Sequence, residues 1–272
     1  MLNPGKVVLM TISRYTYRLI QEIVDARVLP DLPHVIEFGE SNWYGDVPYH
    51  RLELDIDKYV STQELGTKLK VKLNRCIQQL SEPKPDYEAL WDLAKIFYKT
   101  FLDYESYTAI DLSGSPAALR LDLNKPVSLE RQFDIAINFG TAEHVFNVYQ
   151  VFKTIHEVTL PRGIIINSMP FQGWIDHGFF NFQPTFYYDL AAANNYQLPL
   201  LIYAQSTSPD MIQIRNQEHV TELIEQGIFQ GNGTLYAVFL KPAQENPFRA
   251  PMQGYYEGSV STAVKAAWQN NR

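Results

Sequence analysis

Apolar residues along the chain follow two spacings, one typical of helices and one typical of strands. Tyr17, Ile20 and Val24 recur at helical spacing within residues 13–27, which predicts an amphipathic helix. The next apolar run, VIEFG at 35–39, is short and continuous and predicts a strand. Further strands are expected at 107–112, 119–123, 133–140, 163–169, 200–204 and 234–240, and further helices at 86–101, 141–159 and 184–196. This alternation predicts an α/β domain with a mostly parallel seven-stranded sheet and helices on both faces.

A polar stretch at 46–85 interrupts this alternation. It contains one expected helix at 62–80 and ends in the break SEPKP. The chain between the first two strands is longer than one crossover helix needs, so we interpret 46–85 as an insertion, either a lid over a bound substrate or a surface elaboration. The expected organisation is one domain at 1–242 with this insertion, followed by an irregular extension at 243–272 in which only 260–268 favours a short helix.

Charge and composition narrow the possible partners. Asp and Glu number 30 against 23 Lys and Arg, so the chain lacks the basic field that attracts phosphate backbones, and we expect no nucleic-acid partner. Thr11, Ser13 and Arg14 break the N-terminal apolar run, and no later apolar run is long enough to cross a membrane. A cytoplasmic protein without a membrane partner is expected. The single cysteine, Cys76, excludes an internal disulfide, and the composition leaves the oligomeric state open.

Acidic residues and a glycine stand where predicted strands end. Glu37 and Gly39 belong to the first strand, Asp111 ends the second, and Asp122 lies near the end of the third. Ligands of open parallel sheets bind beyond the carboxyl ends of the strands. A carboxylate there accepts hydrogen bonds from ribose hydroxyls or an adenine amino group, and a glycine lets the backbone approach a ligand closely. These positions predict a site for an adenosine-containing cofactor.

In this order, the motifs from 35 to about 240 resemble those of class I S-adenosylmethionine-dependent methyltransferases. The resemblance implies a Rossmann-like methyltransferase fold with S-adenosylmethionine as the cofactor. It places Glu37 and Gly39 against the methionine part, Asp111 on the ribose, and Asp122 with Leu123 on the adenine side.

The segment FDIAINFGTAEHV at 133–145 resembles the fourth motif of the same family. It implies that Asn138, Phe139 and Gly140 border the cofactor and that Glu143 and His144 lie on the following helical turn. The strings NFGTAEHV and DHGFFNFQP are similar to those of uncharacterised methyltransferase-like proteins. One departure is the first loop, GESNWYG, which has fewer glycines than the family's pattern.

The acceptor side is predicted in the aromatic loop WIDHGFFNF, since the resemblance implies that acceptors bind after this strand. His177 is the candidate general base, because an imidazole takes up a proton near neutral pH. His144 either orients the cofactor loop or fills a helical turn. The predicted acceptor pocket comprises Trp174, Phe179, Phe180 and Asn181. Alternatively, the aromatic residues Trp174, Phe179, Phe180 and Phe182 form a hydrophobic plug between sheet and helix. Asp176 with His177 is too small a ligand set for a metal site, so none is expected.

The favoured function is methyl transfer from S-adenosylmethionine to an oxygen or nitrogen of a small molecule. The alternative is a non-catalytic binding module that kept the fold and acts through a protein partner, which the glycine-poor first loop motivates. A nicotinamide dehydrogenase is disfavoured because the G-x-G-x-x-G turn is missing. A serine hydrolase and a P-loop protein are disfavoured in the same way, because neither signature occurs.

Overall fold

The computed structural model describes residues 12–254 and 256, and within them seven strands form one sheet. The sheet order is β2-β1-β3-β4-β7-β5-β6. Strands β1 to β4 pair in parallel, β7 is antiparallel to both β4 and β5, and β6 is antiparallel to β5. The strands are β1 (His34–Phe38), β2 (Ser106–Ile110), β3 (Phe133–Phe139), β4 (Thr159–Gln172), β5 (Gln197–Gln205), β6 (Met211–Gln213) and β7 (Gly233–Leu240). Five strands therefore run in one direction, and the architecture is a Rossmann-like α/β fold, as the alternation predicts.

Helices cover both faces of the sheet. They are α1 (Arg14–Asp25), α2 (Tyr49–Tyr59), α3 (Gln63–Ser81), α4 (Ala89–Leu102), α5 (Val148–Val158), α6 (Pro184–Asn194) and α7 (Gln217–Glu225). Successive residues of β1 point to opposite faces, so Val35 packs with α1 to α4 while Ile36 packs with α5 to α7. The two hydrophobic clusters confirm the prediction of helices on both faces.

The segment at 46–85 folds as α2 and α3. The expected helix at 62–80 is α3, whereas α2 was not expected because only Leu52 and Ile56 mark its buried side clearly. Leu73 and Cys76 of α3 are also buried, and both helices contact α4. These helices therefore contribute to the core on this face, and the loose apolar pattern understated their packing.

The prediction of a strand at 119–123 is wrong. Only Leu119 pairs with the sheet, through an isolated bridge to Ile110. The Arg120 guanidinium donates to the carbonyl oxygens of Asp111, Gly114 and Ser115, which ties this segment to the β2 loop. The seventh strand is instead the short β6, which the sequence pattern did not indicate.

Beyond β7 the chain runs without regular structure through residues 241–253. It nevertheless contacts the body of the domain, since the Asn246 carbonyl oxygen lies 2.6 Å from His156 Nε2 and the Phe248 ring contacts Tyr149 and His156. The N-terminal residues 1–11 and the helix predicted at 260–268 lie outside the described residues. Among the helices that the structure describes, none combines the length and apolar character needed to cross a membrane.

Candidate active site

The turn after β1 passes very close to the loop after β3. Gly39 has φ +81°, and a Cβ at this position would lie 1.9 Å from Thr141 Oγ1. The Gly39 amide donates to the Ile110 carbonyl oxygen at 2.7 Å, which links the turn to β2 as well. Only glycine combines this backbone conformation with this approach. Gly39 therefore brings the ends of β1, β2 and β3 together.

Glu37, predicted against the cofactor, is a fully buried carboxylate that holds the β1 loop. It accepts hydrogen bonds from the Ser41 amide at 3.0 Å, from Ser41 Oγ at 2.6 Å, from the Tyr98 hydroxyl at 2.5 Å and from the Tyr107 hydroxyl. Burial raises the pKa of this carboxyl, and its hydrogen bonds oppose that rise. These bonds fix the β1 loop, and the role of Glu37 against the cofactor stays a prediction.

Asp111 remains partly exposed at the end of β2. Its carboxylate accepts from the Glu40 amide at 2.8 Å and the Ser113 amide at 2.6 Å, so it lies between the β1 and β2 loops. Glu40, which the sequence did not single out, is buried and binds Lys95 Nζ at 2.7 Å and Ser115 Oγ at 2.8 Å. The two acids together hold both loops in place.

Asp122 and Leu123 lie in a turn rather than at a strand end. The Asp122 carboxylate accepts from the backbone and side-chain nitrogens of Asn124, each at 3.0 Å, and these bonds lower its pKa. The Leu123 side chain is buried in the cluster formed with α5 to α7. The predicted adenine side thus has a different local geometry from the one that the motif order implied.

Asn138 is completely buried and connects β3 to β4. Its Nδ2 donates to Asn167 Oδ1 at 3.0 Å, and its Oδ1 accepts from the Ala142 amide at 3.2 Å. Phe139 packs into the core, and Gly140, with φ +75°, donates to the Ser168 carbonyl oxygen. The buried side chains of Asn138 and Phe139 position the loop after β3, and their place at the border of the cofactor stays a prediction.

That loop begins with a short 3₁₀ turn, Ala142–His144, instead of the long helix expected at 141–159. Asn147 separates the two by capping α5, since its side chain accepts from the Gln150 amide. Glu143 on this turn is fully buried, and neither carboxylate oxygen has a hydrogen-bond partner among the described residues. An unpaired buried carboxylate is energetically costly, so its surroundings are informative.

Two imidazoles face Glu143. Its Oε1 lies 3.6 Å from His177 Nε2 and 3.9 Å from His144 Nε2. The centroids of the two imidazole rings are 4.8 Å apart, and the ring planes are inclined at 60°. Both Nε2 atoms are buried without a hydrogen-bond partner in the described part of the chain. Burial lowers the pKa of His144, and the Glu143 charge opposes this shift. We name Glu143, His144 and His177 the Glu143 cluster.

The loop after β4 holds His177 in this position. The Phe179 amide donates to the Glu143 carbonyl oxygen at 2.8 Å, and the His177 amide donates to the Trp174 carbonyl oxygen at 3.1 Å. Trp174 and Asp176 both have positive φ, at 50° and 59°, although neither is glycine. Such backbone strain persists where surrounding contacts enforce it and is concentrated at functional sites.

The aromatic residues of this loop divide into two groups. Phe182 is buried against Phe152, as a plug would be, whereas Phe179 is 65% exposed and contacts Phe146, which is 74% exposed. Phe180 is partly exposed and also lies near Phe146. Phe146 was missed by the sequence analysis because it lies outside the aromatic string.

Trp174 and Asn181 anchor the loop. Trp174 Nε1 donates to the Gly233 carbonyl oxygen at 3.0 Å, and its ring lies 5.1 Å from that of His177. Asn181 Nδ2 donates to the Gly173 carbonyl oxygen at 3.2 Å. Trp174 therefore borders the Glu143 cluster, while Asn181 closes the loop on itself.

No family model and no curated protein matches this chain. Among solved structures, it is similar to the N-methyltransferase NodS from Bradyrhizobium japonicum, with 9% identity, a TM-score of 0.41, and coverage of 84% of this chain and 96% of that one. A putative methyltransferase from Bacillus halodurans has 10% identity, a TM-score of 0.42, and coverage of 84% of this chain and 99% of that one. The Burkholderia thailandensis 1,6-didemethyltoxoflavin-N1-methyltransferase, solved with bound 1,6-didemethyltoxoflavin and S-adenosylhomocysteine, has 12% identity, a TM-score of 0.35, and coverage of 83% of this chain and 78% of that one. Likeness this distant does not identify a cofactor or substrate.

Proposed function

We propose that this protein transfers a methyl group from S-adenosylmethionine to an oxygen or nitrogen atom of a small molecule. The observation that carries the proposal is a two-sided arrangement at the carboxyl edge of the parallel strands. Asp111 offers a partly exposed carboxylate on one side, the Glu143 cluster lies on the other, and the contact of Gly39 with Thr141 joins the two loops. Ligands of this class of sheet bind at this edge.

The cofactor side is built to accept hydrogen bonds. Asp111 is already oriented by the Glu40 and Ser113 amides, and each carboxylate oxygen has capacity for a further bond. The hydroxyls of a ribose match this acceptor. Three buried side chains would act indirectly, because they fix the loops on which the cofactor would rest: Glu37, Glu40 and Asn138.

The acceptor side must align a nucleophile and deal with its proton. In the reaction, a lone pair of the acceptor attacks the methyl carbon while the carbon–sulfur bond breaks and the sulfonium becomes a neutral thioether. The donor already carries its leaving group, so alignment and exclusion of water are the main tasks of the protein. The imidazoles of His177 and His144 are the candidate proton acceptors. Trp174, Phe179 and Phe180 would form the apolar wall.

Calorimetric titration with S-adenosylmethionine tests the cofactor side. We expect binding to the wild-type protein and a tenfold to hundredfold weaker affinity, as an order of magnitude, for Asp111→Ala, because one or two charge-assisted hydrogen bonds are lost. Asp57→Asn is the matched control, since Asp57 is an exposed carboxylate on α2 that pairs with Lys70. Equal affinity of a folded Asp111→Ala protein contradicts the ribose role, and absence of binding by the wild type favours the non-catalytic alternative.

A further inference from the structure

We propose that the Glu143 cluster binds one divalent transition-metal ion of the Zn²⁺, Fe²⁺ or Mn²⁺ class. The proposal rests on the three side chains themselves and is independent of the proposed function. The sequence predicts no metal site, because only Asp176 and His177 stand together in the aromatic loop. The structure brings Glu143 and His144, which belong to a different loop, against His177.

The donor set matches this class of ion. One carboxylate and two imidazoles bind Zn²⁺ in catalytic sites and Fe²⁺ in oxygenases, and these sites retain open coordination positions. The single cysteine of the chain, Cys76, lies in α3, so sulfur ligands do not enter. The nitrogen and oxygen ligands favour zinc, iron or manganese over the softer ions.

The geometry needs little adjustment. One ligand atom from each of the three residues lies within 4.8 Å of the others, and the two distances to Glu143 Oε1 are 3.6 and 3.9 Å. Ligands of a tetrahedral ion with bonds of about 2 Å lie about 3.3 Å apart. Small side-chain rotations would close the cluster around an ion.

The unmet hydrogen-bonding capacity of the cluster is a second, separate observation. Glu143 is fully buried, the His177 side chain is only 6% exposed, and the facing atoms of both have no hydrogen-bond partner among the described residues. The separation of 3.6 Å is too long for a hydrogen bond between them. A cation between these atoms would compensate the buried carboxylate and engage both imidazole nitrogens.

His144 is the member of the cluster nearest to solvent. Its side chain is 29% exposed, whereas the other two are enclosed. Its Nε2 atom is buried, so an ion would enter as the His144 ring rotates. If methyl transfer also occurs, an acceptor hydroxyl bound at an open position would lose its proton to solvent, since a bound ion lowers the pKa of a coordinated oxygen. In that case His177 would be a ligand instead of a base.

The test titrates untagged, metal-free protein with Co²⁺ and follows the visible absorption of the bound ion. We expect one ion per chain, and an affinity lower on the order of a hundredfold or more for Glu143→Gln and for His177→Gln. His50→Gln is the matched control, because His50 is an exposed histidine on α2. It should bind Co²⁺ like the wild type.

Two results would overturn the metal proposal. One is no Co²⁺ binding by the wild type, with no rise of its unfolding temperature in Zn²⁺. The other is equal Co²⁺ affinity in folded Glu143→Gln and His50→Gln proteins. Titrating S-adenosylmethionine into the metal-free wild type keeps the two proposals separate, because loss of either kind of binding leaves the other measurable.

Discussion

Glu37 in β1 and Glu143 on the turn after the neighbouring strand β3 are two fully buried carboxylates with opposite surroundings. Glu37 receives four hydrogen bonds from Ser41, Tyr98 and Tyr107. Glu143 receives none from the described residues and faces two imidazole nitrogens that also lack partners. The first carboxylate serves the fold, because the fold itself satisfies it. The second is the better candidate for binding a ligand, because the fold leaves it unsatisfied.

The largest expected effect is on stability at Glu37. Glu37→Gln replaces an acceptor oxygen with an amide nitrogen that faces the Ser41 and tyrosine donors. We expect a loss of about 3 kcal/mol in the free energy of unfolding, the scale of more than one buried hydrogen bond left unmade. Urea unfolding measures it, with Glu53→Gln, an exposed substitution on α2, as the control. A loss no larger than that of the control would contradict the structural role of Glu37.

A smaller effect of the opposite sign is expected at Glu143. In metal-free protein, Glu143→Gln replaces a buried carboxyl group that receives no hydrogen bond from the described residues, so the free energy of unfolding should rise by about 1 kcal/mol. The same urea experiment measures it. A destabilisation as large as that of Glu37→Gln would show that Glu143 has a stabilising partner, and the contrast between the two carboxylates would fail.

The smallest effect is a pH dependence at Glu37. Burial raises its pKa in the folded protein above the ordinary value of 4.5, so the folded state keeps the proton at pH values where the unfolded state has lost it. The stabilising contribution is present below the ordinary pKa and is lost as the pH rises through the folded pKa. The stability difference between wild type and Glu37→Gln should therefore shrink as the pH rises above 4.5. A difference that grows with pH would mean that the pKa is lowered instead.

Prediction from sequence succeeded where local apolar pattern decides the structure. The continuous runs of β1, β3 and β4 and the spacing in α1 each reflect burial of one element against the sheet, and these elements lie where expected. Prediction failed at 119–123, where bonds from Arg120 replace strand pairing, and at β6, where three residues extend along β5. Pairing of this kind depends on distant neighbours.

For the candidate site, the sequence by itself determined which chemical groups stand at strand ends: Glu37, Asp111, and the Glu143–His144 pair after β3. Only the tertiary structure decided which of these groups are satisfied. Glu37 is enclosed by hydroxyls from α4 and β2. Glu143 receives no hydrogen bond from the part of the chain that the structure describes, and His177 from the loop after β4 lies beside it. The physical reason is that hydrogen bonding of a buried group is settled by residues remote in sequence, which no local pattern records.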